Sequence, residues 1–307
     1  MLSNHKEVFS IIVFYLGSII LMRVIQSVFS KKANILLPNG IMPYTKYIAI
    51  SKIFAAAFGI VAILLTPLGF SGFDLATLLI AGCSGIFLAI GSLCGIKALK
   101  TGTMVLSSIF ATAGLIVPSI LGVILFDDKI TVFQILFALI LIVAMCMLAT
   151  ASKSIYGQFS FKNVLFLVGN LVSNGMVMFC QKLFGEVKPD GNVSLFSMLT
   201  FAIPAVVLTI SLLFMKDKNA SEVDNKFPKQ IYVCAFYLAF AVFIIQQFVT
   251  ILTSKMPTIL LFGLVNCSAT IISALVGAAM YKEKITLKSG LAIIIGIIAL
   301  IGLKIFE

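Results

Sequence analysis

"FDDKIT", residues Phe126–Thr131, returns 155 residues later as "YKEKIT", residues Tyr281–Thr286. The same offset sets Gly122 against Gly277, Thr103 against Thr258, and Lys100 against Lys255. It also sets Gln26 against Gln181 and Phe29 against Phe184. One match would be chance. A single offset that aligns several segments and their loops reads as an internal repeat, with halves 1–152 and 153–307. What each half is built from follows from the solvent it has to live in.

The 307 residues are 61% hydrophobic and 11% charged, with a mean hydropathy of +1.18. Soluble domains run at about 45–50% apolar and about 25% charged, so the excess here belongs in lipid. A helix needs about 20 apolar residues to span a bilayer. That ruler gives ten segments: 8–29, 43–66, 74–97, 102–126, 131–151, 162–183, 194–215, 230–253, 257–281 and 286–305. Each is too long and too evenly apolar for the alternating strands of a barrel. The expectation is an all-α integral membrane protein of ten transmembrane helices, arranged as two inverted five-helix repeats. Five is odd, so the second half enters the membrane from the opposite side. Secondary transporters are commonly built this way, with the substrate site near the midplane between the halves. The first run lacks a small-residue cleavage site and carries Arg23, which reads as a retained span rather than a signal peptide.

The formal charge of +11 does not point to nucleic acid. All but one of the 22 Lys and Arg lie at span ends or between spans, where membrane proteins place cations. Cys83, Cys94, Cys146, Cys180, Cys234 and Cys267 all fall inside apolar runs with no CxxC spacing, so they read as packing residues. His5 has no metal-binding company, and no metal or other cofactor is expected.

The chain resembles the drug/metabolite transporter superfamily, in particular its EamA-type members. In the second half the resemblance rests on "MPTILLFGL" (Met256–Leu264), then "YKEKIT", then Gly290, Gly296 and Gly302. The first half keeps "GTMVL" (Gly102–Leu106) and "FDDKIT". It departs from the pattern at Gly102, where proline is usual, at Asp128, where glutamate is usual, and in lacking the glycine ladder in its fifth span. The resemblance implies ten spans and transport, and says little about substrate. It places both termini in the cytoplasm of a bacterial cell membrane, whereas the lysine distribution places them outside. The two readings stay opposed.

The span centres hold no acid; Asp74, Asp127, Asp128 and Glu283 lie at span ends or in loops. They hold instead one cation and several amides. "YLGSIILMRVIQSVF" (Tyr15–Phe29) carries Tyr15, Arg23 and Gln26 on one helical face. Arg23 lies roughly 7 Å from the midplane at 1.5 Å per residue. The sixth span has Asn170, Asn174 and Gln181 on one face, and the repeat maps Tyr15 to Asn170 and Gln26 to Gln181. Arg23 maps to Met178, so it breaks the symmetry. Gln246 and Gln247 in the eighth span and Asn266 in the ninth, with Thr270 and Ser273 on its face, complete the set. Lys52, Lys97 and Lys182 lie near span ends, where snorkelling is expected.

A lone amide in a membrane helix is often interhelical glue. A central arginine costs about 2.5–3.5 kcal/mol on insertion scales, so Arg23 needs a cavity or a partner. Guanidinium suits carboxylate or phosphate, and amides suit neutral polar groups. The expected substrate is a small polar metabolite, anionic or zwitterionic: an amino acid, an organic acid, or a phosphorylated or nucleoside-type compound. An ion or counter-substrate would drive its movement, and the transporter would act as a monomer or homodimer. Export of cationic drugs or quaternary amines is the alternative, weakened by the missing mid-membrane carboxylate. A membrane enzyme lacks a nucleophile, base or metal constellation in the spans. A non-transporting membrane protein would pack the polar faces of spans one and six dry against their neighbours.

Overall fold

The computed structural model describes residues 2–38, 40–67, 69, 73–101, 110, 113–126, 131–150, 161–215, 227–281 and 286–305. Most of "FDDKIT" and "YKEKIT" (127–130 and 282–285) and the start of the fourth expected span (102–109) lie outside the described residues. Ten helices are described: α1 (Leu2–Leu36), α2 (Ile41–Leu65), α3 (Leu75–Thr101), α4 (Ile116–Phe126), α5 (Val132–Thr150), α6 (Phe161–Val187), α7 (Val193–Phe214), α8 (Lys229–Leu252), α9 (Thr258–Tyr281) and α10 (Leu287–Ile305). All regular structure among the described residues is helical. In lipid this is the way for a chain to bond its own backbone segment by segment. Within those residues α1, α2, α3, α6, α7 and α8 are long and apolar enough to cross a membrane, and shorter apolar runs lie in α4, α5, α9 and α10. This is an all-helical, multi-pass membrane protein.

Some helices outlast their apolar runs. α1 continues through Lys31 and Lys32 to Leu36, and α6 continues to Val187. A helix has no reason to stop where the lipid stops, because its hydrogen bonds are internal. Pro43 in α2 falls in the first turn, where an N–H would have no partner in the helix. Pro204 is different. It sits inside α7, where it cannot give an N–H to the Thr200 carbonyl four residues earlier.

The helices pack in a definite set of pairs: α2 on α7, α3 on α6 and α7, α1 on α8 and α9, α2 on α8, α4 on α6, and α5 on α10. Glycine sets several of these contacts. A Cβ on Gly59 of α2 would fall 2.6 Å from the Met198 Cβ of α7, and one on Gly85 of α3 2.8 Å from the Ile203 Cβ of α7. A Cβ on Gly175 of α6 would fall 2.5 Å from the Gly114 carbonyl oxygen. Small residues let helices approach closely where no hydrophobic effect drives them together. The central apolar cluster joins Ile19 of α1, Leu115, Ile245, Val249 and Leu252 of α8, and Leu261, Phe262 and Val265 of α9.

One end of the bundle is held by polar ties. Two lysines expected to snorkel from span ends do not: Lys52 lies midway along α2, its Nζ 5.3 Å from the Phe201 ring centroid of α7, and is a second cation within a span beside Arg23, and Lys182 of α6 is 4% exposed. The Lys182 Nζ donates to Glu186 Oε1 at 2.6 Å and to the Thr253 carbonyl, just past α8, at 3.2 Å. Lys188 pairs with Asp74 at the start of α3, and Asn192 Nδ2 donates to the Gly69 carbonyl at 2.8 Å. The opposite end is closed by rings and apolar side chains: Phe29 stacks on Tyr237 at 4.6 Å, and Ala33, Tyr47, Ile231 and Cys234 share a cluster.

Asp74 caps α3 by accepting the Thr77 backbone N–H at 2.8 Å. Hydrogen bonds from the Lys188 ammonium and then from Thr77 hold its carboxyl well below the usual carboxylate range. A carboxyl so depressed stabilises the fold above its unfolded pKa of about 4 and loses that contribution as pH falls below it. Asp74→Asn is therefore expected to melt below wild type at neutral pH, with the difference shrinking as pH drops below about 4. A difference that stayed constant across pH would remove the charge from the explanation.

Candidate functional site

Arg23, the chain's one arginine, is half-buried on α1. Its Nη1 donates to Gln26 Oε1, one turn on, at 2.8 Å. That bond uses part of the guanidinium fork; the Nε–H is sealed from solvent and has no acceptor. Arg23 follows Ile19 by one turn on α1, and Ile19 meets Ile245 and Val249 of α8 in the central cluster.

Gln246 and Gln247 follow Ile245 on α8. Gln181 Nε2 of α6 donates to Gln246 Oε1 at 2.9 Å, a fully buried bond between helices. Below it the Thr253 hydroxyl donates to the Thr250 carbonyl of α8 at 2.6 Å, with the Gln181 carbonyl 3.2 Å from the same oxygen, so α6 and α8 stay in close contact there. The Gln246 Nε2 and Gln247 Nε2 groups are buried and have no acceptor. Arg23 Nε and Gln246 Nε2 are buried nitrogen donors without an acceptor on two packed helices; Gln247 Nε2 is a third, turned about 200° around α8 from the α1-facing Ile245, toward the side where Phe243 meets Phe201 of α7. Leaving a donor unpaired inside a protein costs about 1–3 kcal/mol, and more for a charged one. An anion or carbonyl group brought to these atoms would relieve that cost.

The other sequence candidates sit elsewhere. The Tyr15 ring lies tilted against Phe248, with centroids 4.8 Å apart, and packs on the central apolar cluster. Asn174 Nδ2 donates to the Asn170 carbonyl oxygen at 2.8 Å and to Asn170 Oδ1 at 2.7 Å. Both face α3 at Gly91, where a Cβ would lie 3.7 Å from Asn174 Nδ2 and 3.9 Å from Asn170 Oδ1. Asn266 Nδ2 points at the Met178 sulfur, 3.8 Å away. Met178, the position that answers Arg23 in the repeat, packs on the central cluster. The side chains of Thr270 and Ser273 lie outside the described ones.

Sequence reasoning passed over the buried hydroxyls that do not bond to their own helix. Thr45, Ser51, Ser92, Ser119, Thr209 and Thr250 each donate to the carbonyl four residues back, the ordinary habit of Ser and Thr in membrane helices. Ser84 of α3 and Ser197 and Thr200 of α7 are fully buried, and their oxygens have no partner.

No family model and no curated protein matches the chain. The chain is similar to a protein of known crystal structure, with 15% sequence identity, a TM-score of 0.72, and coverage of 96% of this chain and 97% of the other. At that identity the likeness is one of fold alone, and it extends over nearly the whole of both chains.

Proposed function

We propose that this chain is a secondary transporter. It carries a small polar metabolite with an anionic or zwitterionic part across the bilayer, by alternating access between two inverted five-helix halves. The observation that carries the reading is the pair of buried donors without acceptors on packed helices, Arg23 Nε of α1 and Gln246 Nε2 of α8. A purely structural polar cluster would satisfy its own members, since leaving them unpaired opposes folding. The packing pairs support the two-half arrangement. Shifting every helix by five turns α3 on α6 into α8 on α1, α3 on α7 into α8 on α2, and α4 on α6 into α9 on α1, and each of these pairs is present. The resemblance to EamA-type transporters points the same way, and a gradient or a counter-substrate would supply the drive.

Uptake of labelled amino acids, organic acids and phosphorylated compounds into proteoliposomes tests this. At least one anionic or zwitterionic compound is expected to accumulate. Gln181→Ala strips the Gln246 carboxamide of its partner and is expected to lower that uptake about tenfold. Uptake confined to cations, or none across the panel in folded protein, would sink the proposal.

A further inference from the structure

Of the five buried hydroxyls without a partner among the described residues, Ser84, Ser197 and Thr200 lie on two packed helices, whereas Ser27 and Tyr47 lie on α1 and α2 toward the ring-lined end. Ala81 of α3 and Phe196 of α7 share one buried cluster, and a Cβ on Gly85 would touch Ile203 of α7. Ser84 lies between the first pair of contacts and the second on α3, as Ser197 and Thr200 do on α7. Cys180 of α6 belongs to the same cluster, and Gln181 beside it bonds to Gln246 of α8. One level of the bundle therefore holds Ser84, Gln181, Ser197, Thr200 and Gln246.

The helical angles aim the hydroxyls inward. On α3, Gly91 meets α6 while Gly85 meets α7, and Ser84 lies between those directions at 100° per residue. On α7, Ile203 meets α3 while Phe201 packs with Phe243 of α8, and Thr200 and Ser197 lie between them. Pro204 withholds an N–H from the Thr200 carbonyl, so Thr200 offers an acceptor on its backbone as well as on its side chain. Arg23 of α1 and Gln246 of α8 present donors at this level, α3 and α7 present oxygens, and the Lys52 ammonium of α2 lies 5.3 Å from the Phe201 ring next to Thr200.

We infer that Ser84, Ser197 and Thr200 form an oxygen-lined subsite that receives a hydrogen-bond donor group of the transported molecule, at the end remote from the anion facing Arg23. This rests on the transport reading above and narrows its substrate class to a carboxylate that also carries an N–H or O–H. The donor is an ammonium, an amide or a hydroxyl, each of which the four oxygens can accept.

Binding to purified full-length protein in nanodiscs, measured by calorimetry in sodium buffer, tests it with four five-carbon probes: pentanoate, 5-hydroxypentanoate, glutaramate and 5-aminopentanoate. At least one of the three donor-bearing acids is expected to bind wild type about tenfold or more tighter than pentanoate. Which one does so identifies the donor. In a Ser84→Ala, Ser197→Ala, Thr200→Val variant that preference should collapse to within about twofold while pentanoate binding is kept. A preference that survives in the variant, or is absent from wild type, overturns the subsite. So does a preference that vanishes when choline replaces sodium, because the oxygens would then be holding the ion. Arg23→Ala separates the two levels of the argument: if it leaves binding of all four acids untouched, or if wild type binds none of them, the anion reading itself fails. Thermal stability gives an independent check. The triple variant removes hydroxyls that bond to nothing and should melt at or above wild type, whereas Asn192→Ala breaks the bond to the Gly69 carbonyl and should melt below it. A triple variant that melts well below wild type would show that the hydroxyls serve the fold and would overturn the subsite.

Discussion

Arg23→Ala is expected to cut proteoliposome uptake of the transported anion by about 100-fold or more while raising the melting temperature of the empty protein. The two effects have one origin. In the empty protein the guanidinium spends one N–H on Gln26 and leaves its Nε–H sealed and unpaired. A central arginine costs about 2.5–3.5 kcal/mol against lipid, so its removal relieves the fold. In the loaded protein the same fork would hold a carboxylate or phosphate through charge-assisted bonds, each worth about 1.5–3 kcal/mol. Two such bonds lost is a factor of 100 or more at about 1.4 kcal/mol per tenfold. Arg23→Lys makes the argument sharper. Lysine keeps the charge and drops the planar fork, with the Nε donor that has no acceptor here. It should restore less than a tenth of wild-type uptake. Uptake near wild type in Arg23→Lys would mean that a point charge suffices, and uptake near wild type in Arg23→Ala would take the anion away from this residue altogether.

Gly175→Leu is expected to abolish a folded, monodisperse protein, and Gly175→Ala to lower stability by about 1–3 kcal/mol, the usual cost of overpacking. The α4 and α6 helices meet at this glycine so closely that a Cβ would lie 2.5 Å from both the Gly114 carbonyl oxygen and Val117 Cβ. A backbone oxygen cannot rotate aside as a side chain can. Relief would require α4 to leave its seat, and with it Leu115, which is 1% exposed in the central cluster. Gly17 and Gly82 are the controls, because a Cβ there meets nothing within 4 Å. Alanine at either should be neutral or stabilising by up to about 1 kcal/mol through helix propensity alone. Equal thermal shifts for Gly175→Ala and Gly82→Ala would show that the α4–α6 contact does not need a glycine.

Much of the fold could be read from the chain because lipid is an exacting solvent. It demands about 20 apolar residues per crossing, and six of the expected spans fall on described helices long and apolar enough to cross a membrane. Helix ends were less legible at Leu36 and Val187, since a helix that has left the lipid stops for reasons of its own. Which helices touch was not legible at all: Asn170 and Asn174 share a face by their spacing, but nothing in that spacing says the neighbour is Gly91 of α3. Arg23 stood out through its cost, and it is indeed left with an unpaired Nε. Gln181 and Gln246 were both visible as amides, yet a bond between residues 65 apart is a property of packing. Ser84, Ser197 and Thr200 were hidden because most membrane hydroxyls bond to their own helix, and only the packed structure distinguishes the exceptions.

The polar ties at the Lys182 end have a consequence for the resting state of the proposed cycle. Exposing the centre from that end means giving up the Lys182 bond to the Thr253 carbonyl, the Lys188–Asp74 pair and the Asn192–Gly69 bond. Exposing it from the other end means sliding Phe29 off Tyr237 and loosening a cluster of apolar side chains, which lipid can partly replace. An empty molecule would therefore dwell with the Lys182 end shut and the ring-lined end facing its reservoir. The traffic would be asymmetric: the first encounter with substrate comes from the ring-lined side, and the energy of loading has to unfasten the other.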